Sequence, residues 1–471
     1  MSPDFGRRVA AALAEPERMH FIRDATASVH NRRVAAWSEL PDPDALRTLA
    51  AQIKDHTLEH LDEYLDQFIE KFTALGGKVH LAGTGEEAVE LVRTIATEAD
   101  CRVVSKSKSM VSEEVDLNTA LQEAGLEVVE TDLGEFIVQL DRDHPSHIVL
   151  PIIHKDISTI ATVMQRHLGG EYTEDEKKLT RAAREHLRPL FRRCDLGVSG
   201  VNFAVAETGS IVIVTNEGNG RFTTTRPRVH VAVMGIEKLV PRLEDVTVMV
   251  KLLGRSGTGQ ALTVYTNFIT GPKRSADPDG PDEVHVVILD RGRSGILGSK
   301  FREALRCIRC GSCLNACPVY RSIGGHAYGA VYPGPIGKVI TPLLNGLEKF
   351  PDLPQASSLC GGCLEACPVK IDIPRMLVDL RGEAIRRGLD DRSKRYGMRF
   401  LLWTLRFPWL YRFGQRVIRW FLSPRRSGGW IRSGVGPIGG WTKARRDFKR
   451  PAETPFRELW RKELCDGGVE E

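Results

Sequence analysis

Seven of the ten cysteines in this 471-residue chain lie in two short strings. The strings are Cys307-x2-Cys310-x2-Cys313-x3-Cys317-Pro318 and Cys360-x2-Cys363-x3-Cys367-Pro368. Cysteines spaced by three residues in a tight loop direct their sulfurs to one point, a spacing typical of iron–sulfur ligands. A cysteine followed by proline begins a helix, which carries its sulfur away from the other three. The strings therefore predict iron–sulfur clusters, and with them electron transfer.

The spacing divides the seven sulfurs between two sites in a crossed arrangement. The first site takes four: Cys307, Cys310, Cys313 and Cys367. The second site takes three: Cys317, Cys360 and Cys363. Ser357 stands three residues before Cys360, where the first string has a cysteine, and it is the candidate fourth ligand.

Three interpretations of the second site stay open at this point. It holds a [3Fe-4S] cluster, a [4Fe-4S] cluster with Ser357 or water as fourth ligand, or a [4Fe-4S] cluster capped by a side chain from elsewhere. We favour two [4Fe-4S] clusters, the second with one non-cysteine position. Zinc sites prefer four ligands in paired groups, and disulfide frameworks belong to short secreted chains, so both fit less well.

Length and composition are those of a globular protein with two or three domains. Neither a secretory signal nor an apolar run long enough to cross a membrane is visible in the sequence. The remaining cysteines, Cys101, Cys194 and Cys465, are unpaired by spacing and are expected to be reduced thiols. We expect a cytoplasmic protein.

The hydrophobic rhythm predicts four regions: 1–74 helical, 75–295 α/β, 296–390 a helical two-cluster ferredoxin-type domain, and 391–471 a basic tail. Alternating strands and helices in the second region predict a parallel sheet covered on both faces, with an antiparallel extension. The predicted strands are 78–82, 102–105, 126–131, 147–151, 203–207, 210–215, 229–235, 261–268 and 284–290. The predicted helices are 85–99, 112–124, 156–168 and 174–193.

The tail differs from the rest of the chain in charge and aromatic content. Residues 392–450 contain sixteen Lys and Arg but a single acid, Asp447, and five of the seven tryptophans. Basic segments with tryptophan suit an acidic partner surface or the anionic inner face of a membrane. We rank docking on protein first, membrane contact second and nucleic acid last, because no nucleic-acid motif accompanies the charge.

Several motifs resemble those of the lactate utilisation protein B family, over essentially the whole chain. They are Cys307–Tyr320, Gly324–Gly329, Tyr332–Gly337, Ser357–Cys360, Ser105–Ser109, Glu130–Glu135, Glu207–Ser210 and Thr215–Asn219. Ser357 resembles the family's own pattern. The resemblance implies an α/β domain similar to the ribose-phosphate isomerase and CoA-transferase group.

The resemblance also implies a three-component bacterial system that oxidises L-lactate to pyruvate. This subunit then carries the iron–sulfur clusters beside a second iron–sulfur protein and a small α/β protein. We find no convincing flavin or nicotinamide motif, so the group that takes electrons from lactate is expected in a partner. The alternatives are an acyl- or CoA-binding enzyme with structural clusters, and an iron–sulfur redox sensor.

Candidate residues outside the cysteine strings carry weaker signals. Ser105–Ser109 follows a predicted strand and precedes a helix, so it suits either an anion site or a solvated loop. Glu207 and His230 are the weak catalytic candidates, Glu207 because the CoA-transferase group uses a glutamate nucleophile. His154 and His326 are further candidate proton acceptors. The glycines from 254 to 259 predict a turn.

Overall fold

The computed structural model describes residues 3–389, 392–422, 429–434, 438–439, 442, 447–452 and 454–465. The chain forms two compact units, Met1–Leu389 and Asp390–Glu471. The first three predicted regions thus belong to one compact unit, and the boundaries between them stay predictions. The predicted boundary at 390 and Trp441 lie outside the described residues.

Four helices precede the first strand: α1 (Pro3–Leu13), α2 (Pro16–Ser38), α3 (Pro43–Glu59) and α4 (Leu61–Ala74). Pro16 and Pro43 stand in the first turn of their helices, where a missing N–H costs no hydrogen bond. α3 and α4 are separated at His60.

The first unit contains a six-stranded parallel sheet and a smaller four-stranded sheet. The strands are β1 (Lys78–Ala82), β2 (Val103–Lys106), β3 (Glu127–Glu130), β4 (Leu196–Gly200), β5 (Phe203–Val205), β6 (Ser210–Thr215), β7 (Val229–Gly235), β8 (Leu239–Val240), β9 (Tyr265–Ile269) and β10 (Glu283–Leu289). The parallel order is β1-β10-β7-β4-β2-β3, and the smaller order is β8-β5-β6-β9. β7 is buried along its whole length, as expected of a parallel strand covered on both faces.

The helices that cover and extend these sheets are α5 (Gly85–Glu98), α6 (Met110–Glu114), α7 (Leu117–Glu123), α8 (Leu133–Leu140), α9 (Ile157–Leu168), α10 (Glu176–Arg193), α11 (Asn219–Thr225), α12 (Leu243–Gly257) and α13 (Arg293–Leu297). The predicted helix 112–124 is two helices, α6 and α7, because Asp116 takes a left-handed conformation between them. Gly254 and Gly257 lie in the last turn of α12, so the turn predicted from 254 to 259 is confined to Thr258 and Gly259, where Gly259 has φ +78°.

The predicted strand 147–151 is also wrong, because these residues form bends and a turn. The His147 ring accepts hydrogen bonds from the backbone N–H groups of Val149 and Leu150, both at 3.0 Å. These side-chain bonds use donors that a strand would offer to its neighbours.

The helices in and next to the cysteine strings are α14 (Ser312–Ala316), α15 (Pro318–Ile323), α16 (Gly334–Asn345), α17 (Gly362–Ala366) and α18 (Ile373–Arg386). The two helices that follow the cysteine loops, α14 and α17, pack against each other, and α2 packs against α14. The N-terminal helices therefore form part of the support of the cysteine region.

The second unit contains α19 (Arg392–Leu405), α20 (Pro408–Leu422), β11 (Trp430–Ile431), β12 (Phe448–Lys449), α21 (Phe456–Leu459) and a π-helical turn (Trp460–Cys465). The rings of Trp409 and Trp420 on α20 are largely exposed, at 67% and 77%. Among the described residues, no helix is both long and apolar enough to span a bilayer.

Candidate iron–sulfur sites and an adjoining cavity

The structure brings the four cysteines assigned to the first site around one cavity. Cys307, Cys310, Cys313 and Cys367 line it together with apolar side chains that include Ile308, Ile336 and Ile371. Three of these cysteines are buried and Cys307 is half-buried. Four thiols that face one apolar space are a suitable donor set for a cluster.

Local backbone geometry sets these sulfurs. Gly311 has φ +72° at the start of α14, and its Cβ position is crowded by the His147 ring at 3.0 Å, so only glycine fits this turn. Cys367 Sγ accepts a hydrogen bond from Ile371 N–H at 3.3 Å. Backbone N–H groups directed at sulfur stabilise thiolate charge in iron–sulfur sites.

The surroundings favour metal-bound sulfur over free thiolate. Burial raises the pKa of Cys367 to about 11, and burial together with the Cys367 sulfur also raises the pKa of Cys310. Free thiols here retain their protons, and iron has to displace them on binding. The residues present thus fit a four-cysteine cluster.

The second set is more open. Cys317 is buried, Cys363 is half-buried and Cys360 is exposed. The backbone N–H of Gly362 and the Ser358 hydroxyl lower the pKa of Cys360, whereas burial raises the pKa of Cys363 to about 12. The three sulfurs therefore differ from one another in solvent contact.

Ser357 is half-buried in the loop before Cys360. Its hydroxyl accepts a hydrogen bond from Leu359 N–H at 3.2 Å, and its carbonyl accepts one from Arg381 at 3.1 Å. Arg381 holds this loop against α18, so the position of Ser357 is defined.

Lys338 is a buried cation beside the second set. Its Nζ lies 3.8 Å from Cys317 Sγ. Burial lowers the pKa of Lys338, and the Cys317 and Cys363 sulfurs partly offset this lowering. Lys338 follows a glycine/proline motif in the sequence, and cysteine spacing alone gives no reason to select it.

Two arginines from the N-terminal helices reach the helix of the second string. Arg47 donates to the carbonyls of Cys367 and Leu364 at 3.0 and 2.9 Å. Arg33 donates to the carbonyl of Glu365 at 3.3 Å. These cations lie at the carbonyl end of α17, where positive charge is favourable, and both were missed by sequence reasoning.

A second cavity, of about 330 Å³, adjoins the first site. Cys310, Arg309 and Ile148 line both cavities. Ser107, Lys108 and Ser109 of the predicted anion motif lie on its wall, together with residues that follow β4 and β6. Ser105 of the same motif is buried in β2.

A buried charge cluster connects the large sheet to the first cysteine string. Arg293 Nε donates to Glu237 at 2.7 Å, and its Nη2 donates to Glu114 at 2.7 Å. Arg309, which follows Cys307 by two residues, reaches Glu237 at 3.3 Å. Burial alone would raise the pKa of Glu237, but the two guanidinium groups lower it to about 2.

The weak catalytic candidates do not line this cavity. Glu207 is exposed and accepts a hydrogen bond from Leu243 N–H at 2.9 Å. His230 is buried in β7, where its Nε2 pairs with Ser199 Oγ at 2.8 Å, and burial lowers its pKa to about 3. Glu207 therefore accepts a hydrogen bond from the first residue of α12, and His230 lies in the interior of the large sheet.

His154 and His326 join Asp143 in a bonded network. His154 lies 2.9 Å from Asp143 and 2.6 Å from Ser146, and Lys155 also pairs with Asp143 at 2.7 Å. His326 contacts the His144 carbonyl at 2.7 Å and Arg18 at 3.2 Å. The ring nitrogens are used by protein partners, as in a structural brace.

Two family models match the chain. Residues 65–289 match the LUD domain and residues 303–371 match the 4Fe-4S dicluster domain. These matches define an iron–sulfur protein in which an α/β LUD domain is joined to a ferredoxin-like cluster domain.

Curated relatives extend the match to nearly the whole chain. "Lactate utilization protein B" of Shouchella clausii is 44% identical over 98% of each chain, and that of Geobacillus kaustophilus is 45% identical over 95% of each. "Uncharacterized electron transport protein YkgF" of Escherichia coli is 42% identical over 98% of this chain and 96% of its own. The chain belongs to the lactate utilization protein B family.

A solved structure of a DUF162 family protein from Deinococcus radiodurans is a more distant match. It shares 14% identity and covers 49% of this chain and 98% of its own, with a TM-score of 0.28. A likeness this distant adds nothing to the fold described above.

Proposed function

We propose that the protein is the iron–sulfur electron-transfer subunit of a multi-protein system that oxidises L-lactate to pyruvate. The observation that carries the proposal is the pair of cysteine sites in a chain of this family: four mostly buried thiols around one apolar cavity and three thiols at a more open site. Iron–sulfur clusters, when bound, supply one-electron redox chemistry.

The protein contributes enclosure at one site and access at the other. Apolar side chains around Cys310 and Cys313 keep water away from the first site. Cys360, which is assigned to the second site, is exposed, and this supports a second cluster close to the surface of the described unit. Such a pair suits a relay in which electrons enter at the enclosed site and leave through the open one.

Both sites are proposed to hold [4Fe-4S] clusters. The first is bound by Cys307, Cys310, Cys313 and Cys367, and the second by Cys317, Cys360 and Cys363, with Ser357 or water as the fourth ligand. Iron analysis and EPR of anaerobically prepared protein test the second assignment. About eight irons per chain are expected from two four-iron clusters, whereas about seven and a three-iron EPR signal contradict it.

The proposed partners are a second iron–sulfur protein and a small α/β protein. The basic tail, with the exposed tryptophans of α20, is proposed to dock on a partner protein or on anionic lipid at the cytoplasmic face of the membrane. Flotation with anionic liposomes, of the full chain and of a chain without residues 392–471, distinguishes contact with lipid from docking on a partner protein. Equal flotation of both chains contradicts membrane contact.

Lactate-dependent cluster reduction tests the function itself. With its partners present, L-lactate should reduce clusters in this chain, which EPR and absorbance bleaching detect. This chain alone should not be reduced, because the group that takes electrons from lactate is assigned to a partner. Absence of reduction in the complete system contradicts the proposed function.

A further inference from the structure

The 330 Å³ cavity lies where small-molecule sites form in parallel sheets. Ser107 and Ser109 follow β2, and Gly200 ends β4, the strand beside it. The chain leaves β2 towards β3 at one edge of the sheet, but leaves β4 towards β7 on the other side. Adjacent strands with connections in opposite directions open a crevice at their carboxyl ends, which is where ligands bind.

Lys238 places a positive charge on the cavity wall without a hydrogen-bond partner. The residue is only 6% exposed, and no hydrogen bond from its ammonium is seen within the described part of the chain. Burial lowers its pKa, and the carboxylate of the neighbouring Glu237 partly offsets this lowering. Lys54, an equally buried lysine nearby, donates to the carbonyls of Glu237 and Leu239 at 2.6 and 3.1 Å. Lys54 thus donates its hydrogen bonds to carbonyls of the fold, whereas the ammonium of Lys238 faces the cavity wall with donors that no described acceptor takes up.

Arg309 supplies a second, partly unpartnered cation. Its side chain is 8% exposed, and Nη2 pairs with Glu237. Its Nε and Nη1 have no hydrogen-bond partner among the described residues, although its guanidinium carbon lies 4.4 Å from the centroid of the Tyr332 ring. A buried donor without a partner costs free energy, so these groups are expected to meet an acceptor in the functional state.

Neutral polar groups complete the cavity wall. Asn219 Oδ1 is buried and without a partner within the described part of the chain. A Cβ at Gly200 would approach Ser109 Oγ to 2.9 Å, and one at Gly257 would approach the Cys310 carbonyl to 3.2 Å. The volume is at the small end of the range for small-molecule sites.

We propose that this cavity binds a small 2-hydroxy- or 2-oxocarboxylate, with the carboxylate on Lys238 and Arg309 beside Cys310. The anionic group follows from two cations that share the Glu237 carboxylate and keep further donors without a hydrogen-bond partner among the described residues. The choice of acid rests on the proposed function. A carboxylate is the acceptor best matched to a guanidinium beside an ammonium. The site lies next to the first cysteine set, so its occupancy is expected to alter the EPR spectrum of a cluster held there.

Binding of oxamate, a redox-inert analogue of 2-oxocarboxylates, tests the site without electron transfer. The anaerobically purified, cluster-loaded full chain is titrated with oxamate by calorimetry, and inorganic phosphate is the competing anion. The test variants are Lys238→Met and the near-isosteric Asn219→Asp, which adds a negative charge. Lys251→Met on exposed α12 surface is the matched control. Iron content and thermal unfolding establish that each variant is folded.

We expect oxamate to bind the wild type and Lys251→Met equally, and both test variants at least about tenfold more weakly. No binding up to about 10 mM, above the usual range of KM values, overturns the proposal. Undiminished binding by both variants, or phosphate binding as tight as oxamate, also overturns it. If oxamate binds as expected while lactate-dependent reduction fails in the complete system, the cavity assignment stands and the proposed function fails; the reverse result rejects only the cavity.

Discussion

The two cysteine sets share a motif but lie in different surroundings. The first set combines four thiols around a mostly buried apolar space, next to a buried charge cluster and a second cavity. The second set has three thiols, one of them exposed, and the buried Lys338 beside it. The first cysteine set therefore lies mostly inside the fold, whereas the second set reaches its surface.

This difference indicates a division of labour. Enclosure removes water and leaves the potential of a cluster to fixed charges and N–H groups of the protein. Exposure and a non-cysteine ligand make a cluster more responsive to solvent and to a docking partner. The first site is thus suited to accept electrons inside the protein, and the second to pass them on.

The largest expected effect comes from removing one sulfur at each site. Cys310→Ser puts a weak ligand into the closed cavity, and we expect loss of the first cluster and about 3–5 kcal/mol of apparent unfolding free energy, because cluster binding is coupled to folding there. Cys360→Ser should release iron from the second site at a cost below about 1 kcal/mol. Iron per chain and anaerobic thermal unfolding measure both effects.

Each of the two variants is the control for the other, because each substitution leaves the cysteines of the other site unchanged. Equal destabilisation by the two substitutions would show that enclosure does not distinguish the sites.

Lys338→Met tests whether the second site depends on the buried lysine beside Cys317. Removing a positive charge 3.8 Å from Cys317 Sγ disfavours the more negative, reduced cluster. We expect the potential of the second cluster to fall by an amount on the order of tens of millivolts, with the first cluster nearly unchanged. EPR-monitored redox titration gives both values.

Lys349→Met, an exposed lysine beyond the end of α16, is the matched control and should move neither potential. A shift of the first cluster as large as that of the second would mean that the lysine does not act locally.

The smallest expected effect concerns the pH dependence of the free energy of unfolding. The contribution of acids outside the cysteine sets has to be known before pH effects on the thiols of the two sites are compared. Burial and the Glu130 carboxylate raise the pKa of Glu135 from 4.5 to about 8. The folded state therefore resists ionisation of this acid, and its cost appears above pH 4.5, grows with pH and levels off above about 8. Glu135→Gln should raise apparent stability at pH 8.5 and leave it unchanged at pH 4.

Thermal unfolding of wild type and variant across this pH range measures the difference, with exposed Glu123→Gln as control. A stabilisation that is independent of pH would assign the effect to packing rather than to charge.

Regular apolar runs made much of the fold predictable. The strands at 78–82, 210–215 and 229–235 have the predicted bounds, since alternating or continuous β-branched residues leave few alternatives. β4 was missed because Gly197 and Gly200 weaken its strand signal. Gly197 is required by packing: a Cβ there would lie 1.9 Å from the Thr223 carbonyl.

The four cysteines that local spacing assigns to the first site line one cavity, and their assignment as cluster ligands stays a prediction. Local spacing gave no access to groups brought in from distant segments. Arg47 meets Cys367 across 320 residues, and Lys54 meets Glu237 across 183. The charges around the sites depend on tertiary packing, which sequence spacing alone does not encode.

One measurement tests most directly whether two unlike clusters in this chain carry electrons from lactate. EPR spectra are recorded for wild type, Cys310→Ser and Cys360→Ser in the complete system after addition of L-lactate under anaerobic conditions. We expect two lactate-dependent cluster signals in the wild type, only the first-site signal in Cys360→Ser, and neither signal in Cys310→Ser, because electrons enter at the first site. A wild type with one signal or none, or a lactate-dependent second-site signal that survives in Cys310→Ser, would contradict the relay.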